Sequence, residues 1–134
     1  MLNKEIEQEH IEMQKKFNEF RLKNGLPPEN FKFVAVGYLD TLEPYEKGDV
    51  STNFLVKLQV LWNEGITLGS AGHHECQFCI KEGNYKGRAT SSSEKTLTDK
   101  ENKITYIFPE MIFHYIKIHK YLPPPGFISL VIRS

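Results

Sequence analysis

The chain holds 134 residues, 40% hydrophobic and 25% charged, the proportions of one ordinary globular domain able to bury about two-thirds of its unfolded surface. Seventeen basic and seventeen acidic side chains cancel to a formal net charge of zero, which removes any long-range attraction for phosphate backbones and places nucleic-acid binding last among the functions considered. No apolar run approaches the roughly 18 residues that span a bilayer, and the charged opening Met1-Leu2-Asn3-Lys4-Glu5 is no secretion signal, so a cytoplasmic protein without a membrane partner is expected.

Leu2, Ile6, His10, Met13, Phe17 and Phe20 recur at three- and four-residue steps, which predicts a helix over residues 3–24 with its charged residues in solvent. Asn24-Gly25 supplies a C-terminal stop, and Pro27-Pro28 cannot continue the helix. Residues 1–28 therefore read as an N-terminal amphipathic helix and linker, and 29–134 as a single domain. The helix either packs on that domain or offers its apolar stripe to a protein partner. Residues 31–39, rich in aromatic and β-branched side chains, are expected as a strand. A loop over 40–49 follows, around Pro44 and Gly48. Asp49 or Ser51 then caps a second helix whose apolar face is Phe54, Leu55, Leu58, Leu61 and Trp62, ended by Asn63-Glu64-Gly65.

Ile66-Thr67-Leu68 is expected as a short strand leading into a small-residue turn, Gly69-Ser70-Ala71-Gly72. Between 83 and 103 the glycines, Ser91-Ser92-Ser93 and many charges predict a polar hairpin, with weak strands near 88–90 and 95–98. Residues 104–108 are the returning strand. Pro109 suits the first turn of a helix over 109–121, where Glu110 complements the helix dipole. Leu122 and Pro123-Pro124-Pro125 break that helix and leave 127–132 as a short apolar closing segment.

Both cysteines and four of the five histidines fall into two short clusters, Gly72-His73-His74-Glu75-Cys76-Gln77-Phe78-Cys79 and His114-Tyr115-Ile116-Lys117-Ile118-His119. A tight C-x-x-C turn aims two sulfurs at one point about 2.3 Å from a zinc ion, and preceding glycines let the backbone turn. In a reducing compartment such a pair is a metal or redox site rather than a structural disulfide. His114 and His119 stand five apart, which offsets them around an ideal helix. Zinc sites nevertheless use this spacing where the helix tightens or frays, and Pro123 just beyond favours a distorted last turn.

The expected ligands of a structural zinc are Cys76, Cys79, His114 and His119, with His74 of the H-x-C-x-x-C run as the alternative fourth. Plainer roles stand beside these. His114 has the lesser reading of a hydrogen-bonded core histidine and His119 that of a surface residue on an aromatic ring, while His73 reads as exposed and His10 as a helix-face residue. A catalytic zinc needs an open position and a carboxylate base. Glu75 and Glu110 are at hand for that role but read as surface acids.

The segments His74-Glu75-Cys76-Gln77-Phe78-Cys79 and 112–124 resemble a family of small uncharacterised bacterial proteins. That family shows an H-x-C-x-x-C knuckle, a Pro-led helix bearing H-Y, and H-x-Y-x-P-P before a final aromatic. Pro109, His114, Tyr115, His119, Tyr121, Pro123, Pro124 and Phe127 match the pattern. Gly37-Tyr38-Leu39 and the helix after Ser51 are similar to its upstream part. The likeness covers roughly 34–130 and departs at 86–103, where the family carries a short glycine-bounded strand. It implies the ligand set, His74 included, and implies no activity.

Together these readings predict an α+β fold. A small, mostly antiparallel sheet packs against helices at 51–63 and 109–121, and a zinc-knuckle clip joins Cys76 and Cys79 to the second of them. The function expected is that of a cytosolic bacterial zinc-binding protein, a protein- or small-ligand-binding module, with Tyr85, Tyr115 and Tyr121 as contact surface or core. An enzyme is disfavoured, because the chain lacks H-E-x-x-H, lacks the H-x-E…P-C-x-x-C pattern of zinc deaminases and has no nucleotide loop. The alternatives are a zinc-dependent hydrolase with an open metal site and a thiol redox protein using Cys76 and Cys79. The redox reading requires the first cysteine at a helix start and a thioredoxin-like βαβ pattern.

Overall fold

Alternation along residues 104–109 gives the fold its two layers. In the computed structural model, which describes residues 2–64, 67–83 and 90–134 (backbone alone at 2, 67–74 and 90–92), these residues form β4 (Ile104–Pro109). Tyr106 and Phe108 point into the larger core, whereas Ile107 between them points to the opposite face. β4 is flanked on one side by β1 (Lys32–Ala35), which runs parallel to it, and on the other by β3 (Thr90–Asp99), antiparallel. β2 (Thr67–Glu75) completes the order β1-β4-β3-β2, antiparallel to β3. The sheet is therefore mixed, with one parallel junction beside two antiparallel ones. Residues 36–103 separate β1 from β4, which is ample chain for a parallel crossover.

Helices α2 (Thr52–Glu64), α4 (Met111–His119) and α5 (Pro125–Arg133) cover the face that carries Tyr106 and Phe108. Ser51 caps α2, its hydroxyl accepting from the Phe54 N–H at 3.1 Å. Phe54, Leu58 and Trp62 of α2 are buried as their spacing predicts, with Leu55 and Leu61 packed at the margin. Phe127 of α5 makes edge contacts with Phe54, Tyr106 and Phe108 at ring separations of 5.3–6.2 Å. Each such pair adds about 0.5–1.5 kcal/mol beyond burial, so this one residue anchors the closing segment. The result is an α+β fold, as expected.

The other face of the sheet is covered by α1 (Leu2–Lys23), where Ile6 is buried against Ala35, Tyr38 and Ile107. Two amide side chains clamp the returning chain: Gln14 binds both the N–H and the C=O of Phe31, and Asn18 does the same for Glu29. The predicted stripe is only half used. Ile6 and His10 are buried, but Met13, Phe17 and Phe20 are 58%, 49% and 60% exposed. Met13 and Phe17 instead border an open groove with Phe31, Phe33, Thr98 and Thr105.

Other expectations are corrected by the tertiary arrangement. The strand expected over 31–39 stops at Ala35, because Gly37 adopts φ +87° beneath Ile112. A Cβ at that glycine would lie 3.0 Å from Ile112 Cγ1, so only glycine lets strand and helix approach so closely. The turn expected at 69–72 is strand: β2 runs through it to Glu75, with register irregularities on either side of Ser70 accommodating the small residues. The expected hairpin strand at 95–98 belongs to one ten-residue strand, β3, while 88 and 89 lie outside the described residues. Pro109 ends β4 rather than opening α4, whose N-cap is Glu110. His10, counted in the apolar stripe, is buried and has a polar partner: its Nε2 lies 3.6 Å from Glu94, which also accepts the Tyr38 hydroxyl at 2.6 Å.

Candidate metal centre

β2 ends where the first cysteine begins. Cys76 is the N-cap of α3 (Gln77–Glu82), and its sulfur accepts the Cys79 N–H at 3.5 Å. That local turn places Cys79 one turn along, on the same side as Cys76. Gly83 closes α3 in the left-handed region, its N–H returned to the carbonyls of Cys79 and Ile80. Both sulfurs are fully buried.

α4 supplies the imidazoles. Met111, Ile112, Tyr115 and Ile116 bury one face of this helix in the core, which turns His114 to the flank. The helix then stops at His119. Lys120 enters the left-handed region at φ +57°, and the N–H groups of Lys120 and Tyr121 both return to the Tyr115 carbonyl. The distorted last turn expected from Pro123 is thus a left-handed cap, and it brings the two rings to a centroid separation of 5.1 Å.

Cys76, Cys79, His114 and His119 converge so that one ligand atom from each lies within 4.8 Å of all the others. Cys76 Sγ is 3.2 Å from His119 Nε2, and Cys79 Sγ is 3.4 Å from His114 Nε2 and 3.5 Å from His119 Nε2. A tetrahedral zinc with its usual bond lengths to sulfur and nitrogen separates those atoms by about 3.5 Å. The donor set fits such an ion in both chemistry and spacing. Among the described residues this is the group of metal-binding side chains that converges, and it contains no carboxylate. His114 and His119, each with a plainer reading open in sequence, are brought to the sulfurs. The side chains of His73 and His74 lie outside the described residues, as does Tyr85.

Burial sets the proton chemistry. It pushes the Cys79 thiol up to about 11, with neighbouring Cys76 adding to the shift. Burial also holds His114 below the ordinary histidine value, aided by His119. His119 is lowered by burial too, with Glu82 opposing and Lys47 adding to the effect. Neutral imidazoles are ready donors, whereas the Cys79 proton must be displaced by an incoming cation.

Two residues outside the ligand set shape it. Phe78, between the cysteines, packs its ring 5.1 Å from that of His119 and makes edge contacts with Tyr45 and Tyr115. Tyr45 donates its hydroxyl to the His119 carbonyl at 2.9 Å, fixing the helix end that carries the fourth donor. Nothing in the sequence around Tyr45 signals this task, since its partner lies 74 positions away. Tyr115 and Tyr121 are core residues, 4% and 7% exposed. Glu110, weighed as a catalytic base, is exposed on the N-cap of α4.

Among the described residues no helix is long and apolar enough to cross a membrane. No curated protein and no solved structure matches the chain. The family model described as Domain of unknown function (DUF7919) matches residues 11–132, taking in half of α1 as well as the whole cluster, and the chain belongs to that family.

Proposed function

We propose that this member of a family of unknown function is a zinc-binding protein in which Cys76, Cys79, His114 and His119 hold one structural ion. The observation that carries the reading is the convergence of two buried sulfurs and two half-buried imidazoles at sulfur–nitrogen distances of 3.2–3.5 Å. A closed shell of four protein donors is a folding device rather than a reaction centre. Its binding free energy of about 10–16 kcal/mol in small structural sites matches or exceeds a domain's whole net stability. The ion would tie the start of α3 to the end of α4, which Phe78 also joins through its contacts with Tyr115 and His119. A cytosolic bacterial setting belongs to this reading, since the motif resemblance is to bacterial proteins and a reducing compartment leaves the C-x-x-C pair free for a metal. So does the role of the fold as a module that binds a protein or a small ligand.

A thiol redox use of the cysteine pair is the second reading, favoured by the position of Cys76 at the start of α3. Metal analysis of the purified protein and X-ray absorption at the zinc edge separate the two. One zinc per chain in a shell of two sulfurs and two nitrogens supports the structural site. An oxygen neighbour from water moves the reading toward an open, hydrolytic site. A metal-free protein that melts as high as the zinc-loaded one overturns both metal readings and leaves the redox pair.

A further inference from the structure

A cleft of about 520 Å³ opens between the loop after β1 and the segment joining α4 to α5. We propose that it binds an aliphatic amine carrying two or more ammonium groups. This deepens the small-ligand side of the function proposed above and rests on it.

The lining has one sign of charge. Asp40, Glu43 and Glu46 border the cleft, and no lysine, arginine or histidine does. Asp40 is partly committed, since its Oδ1 accepts the N–H groups of Leu42 and Glu43. The carboxylates of Glu43 and Glu46 form no hydrogen bond or ion pair with another described residue. No described cation pairs with them, so both stay available to the ammonium groups of a ligand.

The walls are aromatic and apolar. Tyr45 and Tyr121 meet edge to face at 6.2 Å, and Pro123, Pro124 and Pro125 continue the surface. Proline rings and tyrosine faces suit a methylene chain, and tyrosine faces attract ammonium groups. Tyr45 already shows this attraction: the Lys47 ammonium sits 5.3 Å from its ring centre, outside the cleft lining. A single inorganic cation would use the carboxylates but leave this apolar surface unmatched. The volume lies within the range of small-molecule sites. The wall is also braced by the metal centre, because Tyr45 is held by Phe78 and by the His119 carbonyl.

The test is calorimetric titration of the zinc-loaded full chain with spermidine, 1,4-diaminobutane, n-butylamine and magnesium chloride in parallel. Saturable one-site binding of spermidine is expected, weakened by about tenfold or more for n-butylamine and for the Glu43→Gln/Glu46→Gln double variant. That variant should keep the parent zinc content and melting temperature, since both carboxylates lack protein partners. Absence of saturable binding up to about 5 mM spermidine overturns the proposal, as does unchanged affinity in the double variant. Magnesium binding as tight as that of 1,4-diaminobutane overturns it too, leaving an acidic cation cluster. Because zinc content is measured separately on the same protein, a zinc-loaded chain that ignores all the amines removes the cleft ligand and leaves the metal reading intact.

Discussion

The four donor side chains differ in how firmly they are placed. Cys76 and Cys79 are fixed by one short turn and would stay together even if α4 moved, whereas His119 depends on a left-handed cap at Lys120 and a hydroxyl from Tyr45. His74, adjacent in sequence to the cysteines, competed for the fourth position on spacing alone. The geometry of the described donors makes His119 the proposed ligand, and this has a direct check. His119→Ala is expected to lower zinc affinity by a factor on the order of 100 or more and to drop the melting temperature, while His74→Ala keeps one zinc per chain. Metal content after gel filtration against a weak chelator reads both. Loss of zinc in His74→Ala with retention in His119→Ala would transfer the assignment to His74. Tyr45 marks the opposite case, a residue with no motif around it that nonetheless holds a donor in place.

Among the elements, those with a strong local period were legible and those governed by neighbours were not. α2 could be read from Phe54, Leu58 and Trp62 because its buried face repeats at helical spacing. β3 could be read only in part, as a weak strand at 95–98, because Glu94, Lys95 and Asp99 are buried polar residues that only distant partners justify. Lys95 donates to the Trp62 carbonyl and lies 4.8 Å over its ring. Asp99 accepts from Asn102 at the turn into β4 and from Arg133 at the end of α5, both near 3 Å. Those hydrogen bonds, Asn102 first, hold the Asp99 carboxyl below the usual aspartate range. Its folded value being depressed, Asp99 contributes stability above that range and loses it as pH falls through the lowered value. Melting of Asp99→Asn beside the parent should therefore show a gap at pH 6 that narrows as pH falls below the usual aspartate range. A gap independent of pH would mean that the carboxylate charge contributes nothing.

Across the whole molecule the two faces of the sheet are unequal. The larger core and the metal cluster lie within 34–132, while α1 adds the small cluster around Ile6 and the His10–Glu94–Tyr38 contact. We propose that the division at residue 28 is a folding boundary, with 29–134 carrying the zinc-binding domain. A fragment of 29–134 is expected to bind one zinc and melt cooperatively, but to lose several kcal/mol of stability. Burial of Ile6 alone is worth about 1.5–3 kcal/mol. Chemical denaturation of fragment and full chain with zinc present measures this, and a fragment without a cooperative transition would make α1 part of the domain.

By itself the sequence determined α1, α2, β4 and α4, the two clusters of soft donors and the α+β class, because periodicity and C-x-x-C spacing act over a few residues. Tertiary structure decided which histidines meet the sulfurs, where β2 and β3 begin and end, and that β1 runs parallel to β4. Each of these depends on groups tens of positions apart: Gly37 beneath Ile112, Tyr45 on His119, Lys95 under Trp62. Such contacts leave no local pattern, since their free energy is realised only once the chain has closed on itself.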